Sequence, residues 1–183
     1  SVGVRLAAGL AWLVMLLTGV TSGDVANSLF EEATQMAGYG VLAIALIKAG
    51  HCVQDKVTLQ KVSLHDEIVK GNVTAAFIEF GQIVTVAIVV RSALIWVLTE
   101  GWHGLPVVIA AFVVANIIML LVSKYRVRLF KRTGDCLQQL ILDDNLAVGI
   151  RYAGFLIGSG LAITAATGLA PYAADNISLS LMY

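Results

Sequence analysis

From Val73 to Leu98 the chain reads VTAAFIEFGQIVTVAIVVRSALIWVL, long enough to cross a bilayer core, which takes about 20 mostly apolar residues as a helix. Runs of the same character fall at about 4–22, 33–51, 105–123 and 146–170. In hydrocarbon every backbone N–H and C=O must be paired within the protein, so such runs form helices. A membrane barrel would need short segments of alternating polarity instead, and the sequence has none. Of the 183 residues, 58% are hydrophobic and 13% charged, against about 25% charged in soluble domains. The expected fold is an all-α integral membrane protein with five transmembrane helices.

The formal net charge of +0 conceals an asymmetry. Lys56, Lys61 and Lys70 fall in one connecting segment, and Lys124, Arg126, Arg128, Lys131 and Arg132 in another. The segments around Gly23, Gly101 and Tyr172 lack Lys and Arg and carry Asp24, Glu31, Glu32, Glu100 and Asp175. The positive-inside rule puts the basic segments in the cytoplasm. Five spans then give a cytoplasmic N-terminus, in keeping with Arg5, and an external, periplasmic C-terminus. The first run, VRLAAGLAWLVMLLTGVTSG, also has the form of a secretory signal; a retained span is expected, and cleavage would leave four spans in the same orientation.

Cys52 and Cys136 fall on the cytoplasmic side, where thiols stay reduced. With His51, His65 and His103 they make no metal signature, since the short repeated ligand spacing of a zinc site is missing. A haem-carrying subunit is a poor fit, because His103 falls on the opposite side from His51 and His65. No cofactor and no metal are expected.

An internal repeat organises the chain. At the separation of Asn72 and Asn145, 73 positions, Gly81 meets Gly154, Ile68 meets Ile141, and Leu64 meets Leu137 without a gap. The same shift lays the second span on the fourth and one basic segment on the other. The expected organisation is an extra N-terminal helix (or uncleaved signal-like segment) and external linker over 1–30, a two-helix repeat over 31–100, a second over 101–172 and an external tail over 173–183. Each repeat holds an even number of spans, so the copies are parallel, and a pseudo-two-fold axis along the membrane normal is expected.

EIVKGNVTAAFIEFGQIVTVAIVV and DDNLAVGIRYAGFLIGSGLAIT share an Asn, then small residues, then a Gly-bearing span. In this the chain resembles the YjfL-type (domain of unknown function 350) family of bacterial inner-membrane proteins, over roughly residues 35–170. The first span lies outside the resemblance, and DNLAVG departs from the Asn-Xaa-Ala-Ala form. The resemblance implies a bacterial inner-membrane location and no established activity; it carries over no catalytic residue.

Two charges stand inside the long runs. Glu79 lies about 10 Å past Asn72 along a helix axis, and Arg151 lies at nearly the same depth past Asn145. A lone charge there costs about 2.5–3.5 kcal/mol on the insertion scale, so the two are expected to pair across the repeats. That pair is either a static dock or, with Gln82 and Thr85, part of a polar path. Arg91 is expected near the outer surface, snorkelling or pairing with Glu31, Glu32 or Glu100; Lys48 is expected to snorkel at the inner end of its span. Asn72 and Asn145 read as helix caps, or as amides ringing an opening. Asn116 reads as an interhelical hydrogen bonder. Gly154, Gly158 and Gly160, with Ala162 and Ala166, read as a packing face.

Ser63, three residues before Asp66, begins a capping-box-like start, and Leu129, Phe130, Leu137, Leu140 and Ile141 keep near-helical spacing. Both segments are expected as amphipathic helices on anionic lipid headgroups or against a soluble partner. No span is broken by Gly or Pro in the manner of transporters. The expected function is a non-catalytic scaffold or accessory subunit, as a homo-oligomer or within a larger membrane complex. A small oligomeric ion or proton channel or transporter is the alternative; nucleic acid is not an expected partner.

Overall fold

A helix that is apolar on every side must be covered on every side. Val73–Trp96 is such a helix: every residue from Thr74 to Leu94 is buried or half-buried in the computed structural model. The structure describes residues 2–20, 29–58, 63–97, 102–132 and 137–169, and all regular structure among them is helical. In chain order these are α1 (Val2–Val20), α2 (Leu29–Thr58), α3 (Leu64–Val69), α4 (Val73–Trp96), α5 (Leu105–Arg132), α6 (Leu137–Leu142) and α7 (Leu146–Leu169). Helices α4, α5 and α7 are long and apolar enough to cross a membrane.

α1, α4 and α7 stand side by side in one row with α4 in the middle. They run parallel, since Thr74 meets Gly149 near one end and Ser92 meets Thr167 near the other. Arg91 likewise meets Thr18 of α1. α2 and α5 run the opposite way and form a second layer. Gly38 of α2 abuts Trp102, and Gly50 abuts Val86 of α4 and Phe112 of α5. One core cluster joins α2, α4 and α5 around Ala43, Val90 and Val108. A second joins α3, α4, α6 and α7 around Leu64, Ile78, Ile141, Tyr152 and Leu156.

α2 and α5 continue past their expected ends near residues 51 and 123, to Thr58 and Arg132. From Leu120 to Arg132 the chain carries no Gly or Pro, and its Leu, Lys and Arg residues hold a helix well. α3 and α6 leave Val69 and Leu142 exposed and turn their other apolar side inward. Their apolar residues Leu64, Ile68, Leu137 and Ile141 are buried in the second cluster, closing that end of the bundle.

The ends of α3 and α6 are built alike, bond for bond. Gly71 N–H donates to Ile68 and Asn72 N–H to Glu67; 73 positions on, Asp144 N–H donates to Ile141 and Asn145 N–H to Leu140. Each pair is a Schellman stop, which needs a left-handed residue after the helix. Gly71 takes it at φ 96° and Asp144 at φ 50°.

A two-fold axis between the halves would bring like faces of α4 and α7 together, and the structure does not. Gly81 faces Ala153, whereas its counterpart Gly154 is exposed and faces nothing within 4 Å. The expected pseudo-two-fold is therefore replaced by a head-to-tail relation, in which α7 offers α4 a different side from the one α4 offers α7.

A Cβ added at Gly81 would lie 2.7 Å from the Cα of Ala153, a backbone atom that cannot step aside. Gly81→Val should therefore cost about 1–3 kcal/mol, the usual range for overpacking. A lowered melting temperature in detergent checks this; an unchanged one would mean that α4 and α7 are not in such close contact.

Candidate functional site

The polar residues of α4 are the natural place to look for chemistry, because each must be satisfied away from bulk water. Glu79 is buried with 6% of its surface accessible, Gln82 with 1%, and Thr85 with none. Thr85 donates its hydroxyl to the Gly81 carbonyl at 2.6 Å, a bond within its own helix. Gln82 Oε1 has no hydrogen-bond partner, nor has Asn116 Oδ1. The Asn116 amide instead donates to Phe112 within α5, at 2.9 Å, so it forms no interhelical bond.

The expected Glu79–Arg151 pair is not formed. Arg151 is exposed, and the reason lies in helix phase. α7 faces α4 with Gly149, Ala153 and Gly160; two residues from the nearest of these, Arg151 is turned by about 200° at 3.6 residues per turn. Glu79 is buried in the bundle while Arg151 points out of it.

Arg91 is half-buried and donates through Nε to the Thr18 hydroxyl at 3.1 Å, tying α4 to α1. The acidic partners expected for it are not placed: Glu100 lies outside the described residues, as do the side chains of Glu31 and Glu32. Lys48 is exposed. Cys52 is an exposed free thiol, and Cys136 falls outside the described residues. Among the described residues no group of His, Cys, Asp or Glu could hold a metal ion.

Asn72 and Asn145 are both N-caps. Asn72 Oδ1 accepts from Ala75 N–H at 2.8 Å, and Asn145 Oδ1 from Val148 N–H at 3.4 Å. Asn72 does more: its amide donates to the Ile141 carbonyl of α6 at 2.6 Å and is buried. An amide so engaged does not ring an opening. Opposite it, Thr74 N–H donates to Asp144 Oδ1 at 2.8 Å, so the start of α4 is capped a second time by the α6–α7 turn. Sequence reasoning missed this cap, although Asp144 stands 73 positions after Gly71, itself a turn residue.

The small residues of α7 divide by face. Gly160 packs on Thr85, and Gly149 and Ala153, unflagged by the sequence, pack on Thr74 and Gly81. Gly154, Gly158, Ala162 and Ala166 are exposed. Toward the C-terminal ends of α4 and α7 a cleft between α4, α5 and α7 is lined by Val89, Ala93, Ala115 and Ile163. The hydroxyls at its edge, Ser92 and Thr167, bond to each other at 2.8 Å.

With this geometry in view, a comparison of the chain with protein-family models decides its kinship. The model Domain of Unknown Function (DUF350) matches twice, over residues 1–94 and 99–181. The chain belongs to the DUF350 family. The first match takes in α1, which the motif resemblance leaves outside, and the gap between the matches falls at the end of α4. Neither the curated proteins nor the solved structures contain a match to this DUF350 chain.

The Thr74 N–H holds the Asp144 carboxyl below its usual pKa. A carboxyl with a depressed folded value stabilises above its unfolded pKa, about 3.9, and that contribution fades as pH falls through the folded value. Asp144→Asn keeps an acceptor and tolerates the left-handed turn but removes the charge from the α4 N-terminus. It should cost roughly 0.3–1 kcal/mol at pH 7. Melting curves of parent and variant should converge below pH 4; a gap independent of pH would show that the carboxylate charge contributes nothing there.

Proposed function

We propose that this DUF350 protein is a non-catalytic scaffold or accessory subunit of a bacterial inner-membrane complex. In this reading it crosses the membrane five times, through α1, α2, α4, α5 and α7, with a cytoplasmic N-terminus and an external C-terminus. α2 to α4 and α5 to α7 are its two parallel repeats. The basic residues at the α3 and α6 end then meet the anionic inner leaflet, where each Lys or Arg is worth about 1 kcal/mol.

The observation that carries the reading is the enclosure of α4. Its intramembrane polar groups are surrounded by α1, α2, α5 and α7, the inner end is closed by α3 and α6, and Asn72 and Thr85 have their hydrogen bonds inside the fold. Such a helix suits a rigid post. An ion or proton path is the second reading, favoured by the unmatched acceptors of Gln82 and Asn116 and by buried Glu79 one turn from Gln82.

Purification from the native membrane in mild detergent, with weighing of the intact particle and identification of its chains, should yield a multiple of this chain or a stoichiometric second protein. Liposomes holding the purified protein should pass ions no faster with the parent than with Glu79→Gln. Flux that depends on Glu79 would replace the scaffold by the path.

A further inference from the structure

Toward α7, α4 presents Thr74, Gly81, Thr85 and Ser92; toward α4, α7 presents Gly149, Ala153, Gly160 and Thr167. Carried forward by the separation of Asn72 and Asn145, 73 positions, the α4 set falls on Ala147, Gly154, Gly158 and Ala165. All four are exposed. The surface that receives α7 on α4 thus recurs on α7 with no helix among the described residues upon it, and a Cβ at Gly154 or Gly158 would meet nothing within 4 Å.

α1 supplies the other half of the same contact. Carried back by twice that interval, Gly149, Ala153 and Gly160 fall on Gly3, Ala7 and Val14. These are exposed too, while Trp12 and Met15 of α1 turn inward against the core. α1 stands beside α4 in the register in which α4 stands beside α7, with Thr18 bonded to Arg91 73 positions on. α2 packs on α1 and α4 as α5 packs on α4 and α7. Among the described residues the row α1, α4, α7 therefore leaves a bare receiving face on α7 and a bare inserting face on α1.

We infer that a second copy of this chain covers α7, its α1 docking head to tail so that Gly154 faces Ala7 and Gly158 faces Val14 of the neighbouring copy. The occupant is given by continuity with the α4–α7 interface: the same positions in the first half already receive a helix of this family. Small residues let backbones approach closely in lipid, and the larger Leu10, Val14 and Leu17 of α1 fit beside them. A head-to-tail contact of this kind closes into a ring when its rotation permits. The inference deepens the scaffold reading and names its first partner.

The test places Val14→Cys and Gly158→Cys together in a Cys52→Ser, Cys136→Ser background and oxidises the membranes. A ladder of dimers and larger species is expected, with each single cysteine variant staying monomeric. No cross-link from the pair overturns the joint, and so does a dimer from Gly158→Cys alone, which would mean two α7 helices facing each other. Should the paired variant not accumulate, Gly154→Leu decides. It meets nothing within its own chain, so the particle should fall to one chain in mass with its helix content intact; an unchanged oligomer overturns the inference. A cross-link from Gly158→Cys to a different protein overturns it and leaves the scaffold reading standing. The ladder together with Glu79-dependent flux upholds the joint and overturns the scaffold reading.

Discussion

The approach of α7 to α4 is the contact on which the other packing depends. Within lipid the tails are as apolar as leucine, so helices gain by close packing and by hydrogen bonds rather than by escape from water. Thr74 on Gly149, Gly81 on Ala153 and Thr85 on Gly160 bring the two backbones together along most of their length, and the Ser92–Thr167 bond joins them toward the far end. With α7 on one flank and α1 on the other, α4 is left open only toward α2 and α5, which fill the second layer.

The end of that pair nearest α3 and α6 is fixed by backbone chemistry. Unpaired N–H and C=O groups are costly near a membrane, and a helix start leaves four N–H groups without an intrahelical partner. Here one residue both ends a helix and begins the next: Asn72 closes the stop after α3 and caps α4, and Asn145 does so between α6 and α7. Asn72 and Asp144 then reach across to the other half. Buried Leu64 and Leu137 hold α3 and α6 beneath the bundle, which keeps both junctions in place.

Much of this is legible in the residues. The apolar runs locate the long helices, although α2 and α5 run on well past the expected ends to Thr58 and Arg132, and Asn72 and Asn145 read as caps because an apolar run begins directly after each. Ser63 reads as a helix start, and its side chain accepts from Asp66 N–H. Helix phase between partners is not legible. Glu79 and Arg151 match in depth, and depth is a property of spacing; whether they meet depends on which way α7 is turned, and that is set by Gly149 and Ala153. Gly154, Gly158 and Gly160 read as one packing face, yet within the chain only Gly160 of these packs, together with Gly149 and Ala153.

Taken alone, the sequence determined an all-helical chain with helices long and apolar enough to cross a membrane, and two turns spaced 73 positions apart, because span length, capping and left-handed turns are local demands that particular residues meet. Only the tertiary structure decided that the halves stack head to tail, that Arg151 faces outward, and that Asp144 caps a helix in the other half. Those outcomes depend on rotation about each helix axis, which many weak contacts set jointly across distant parts of the chain.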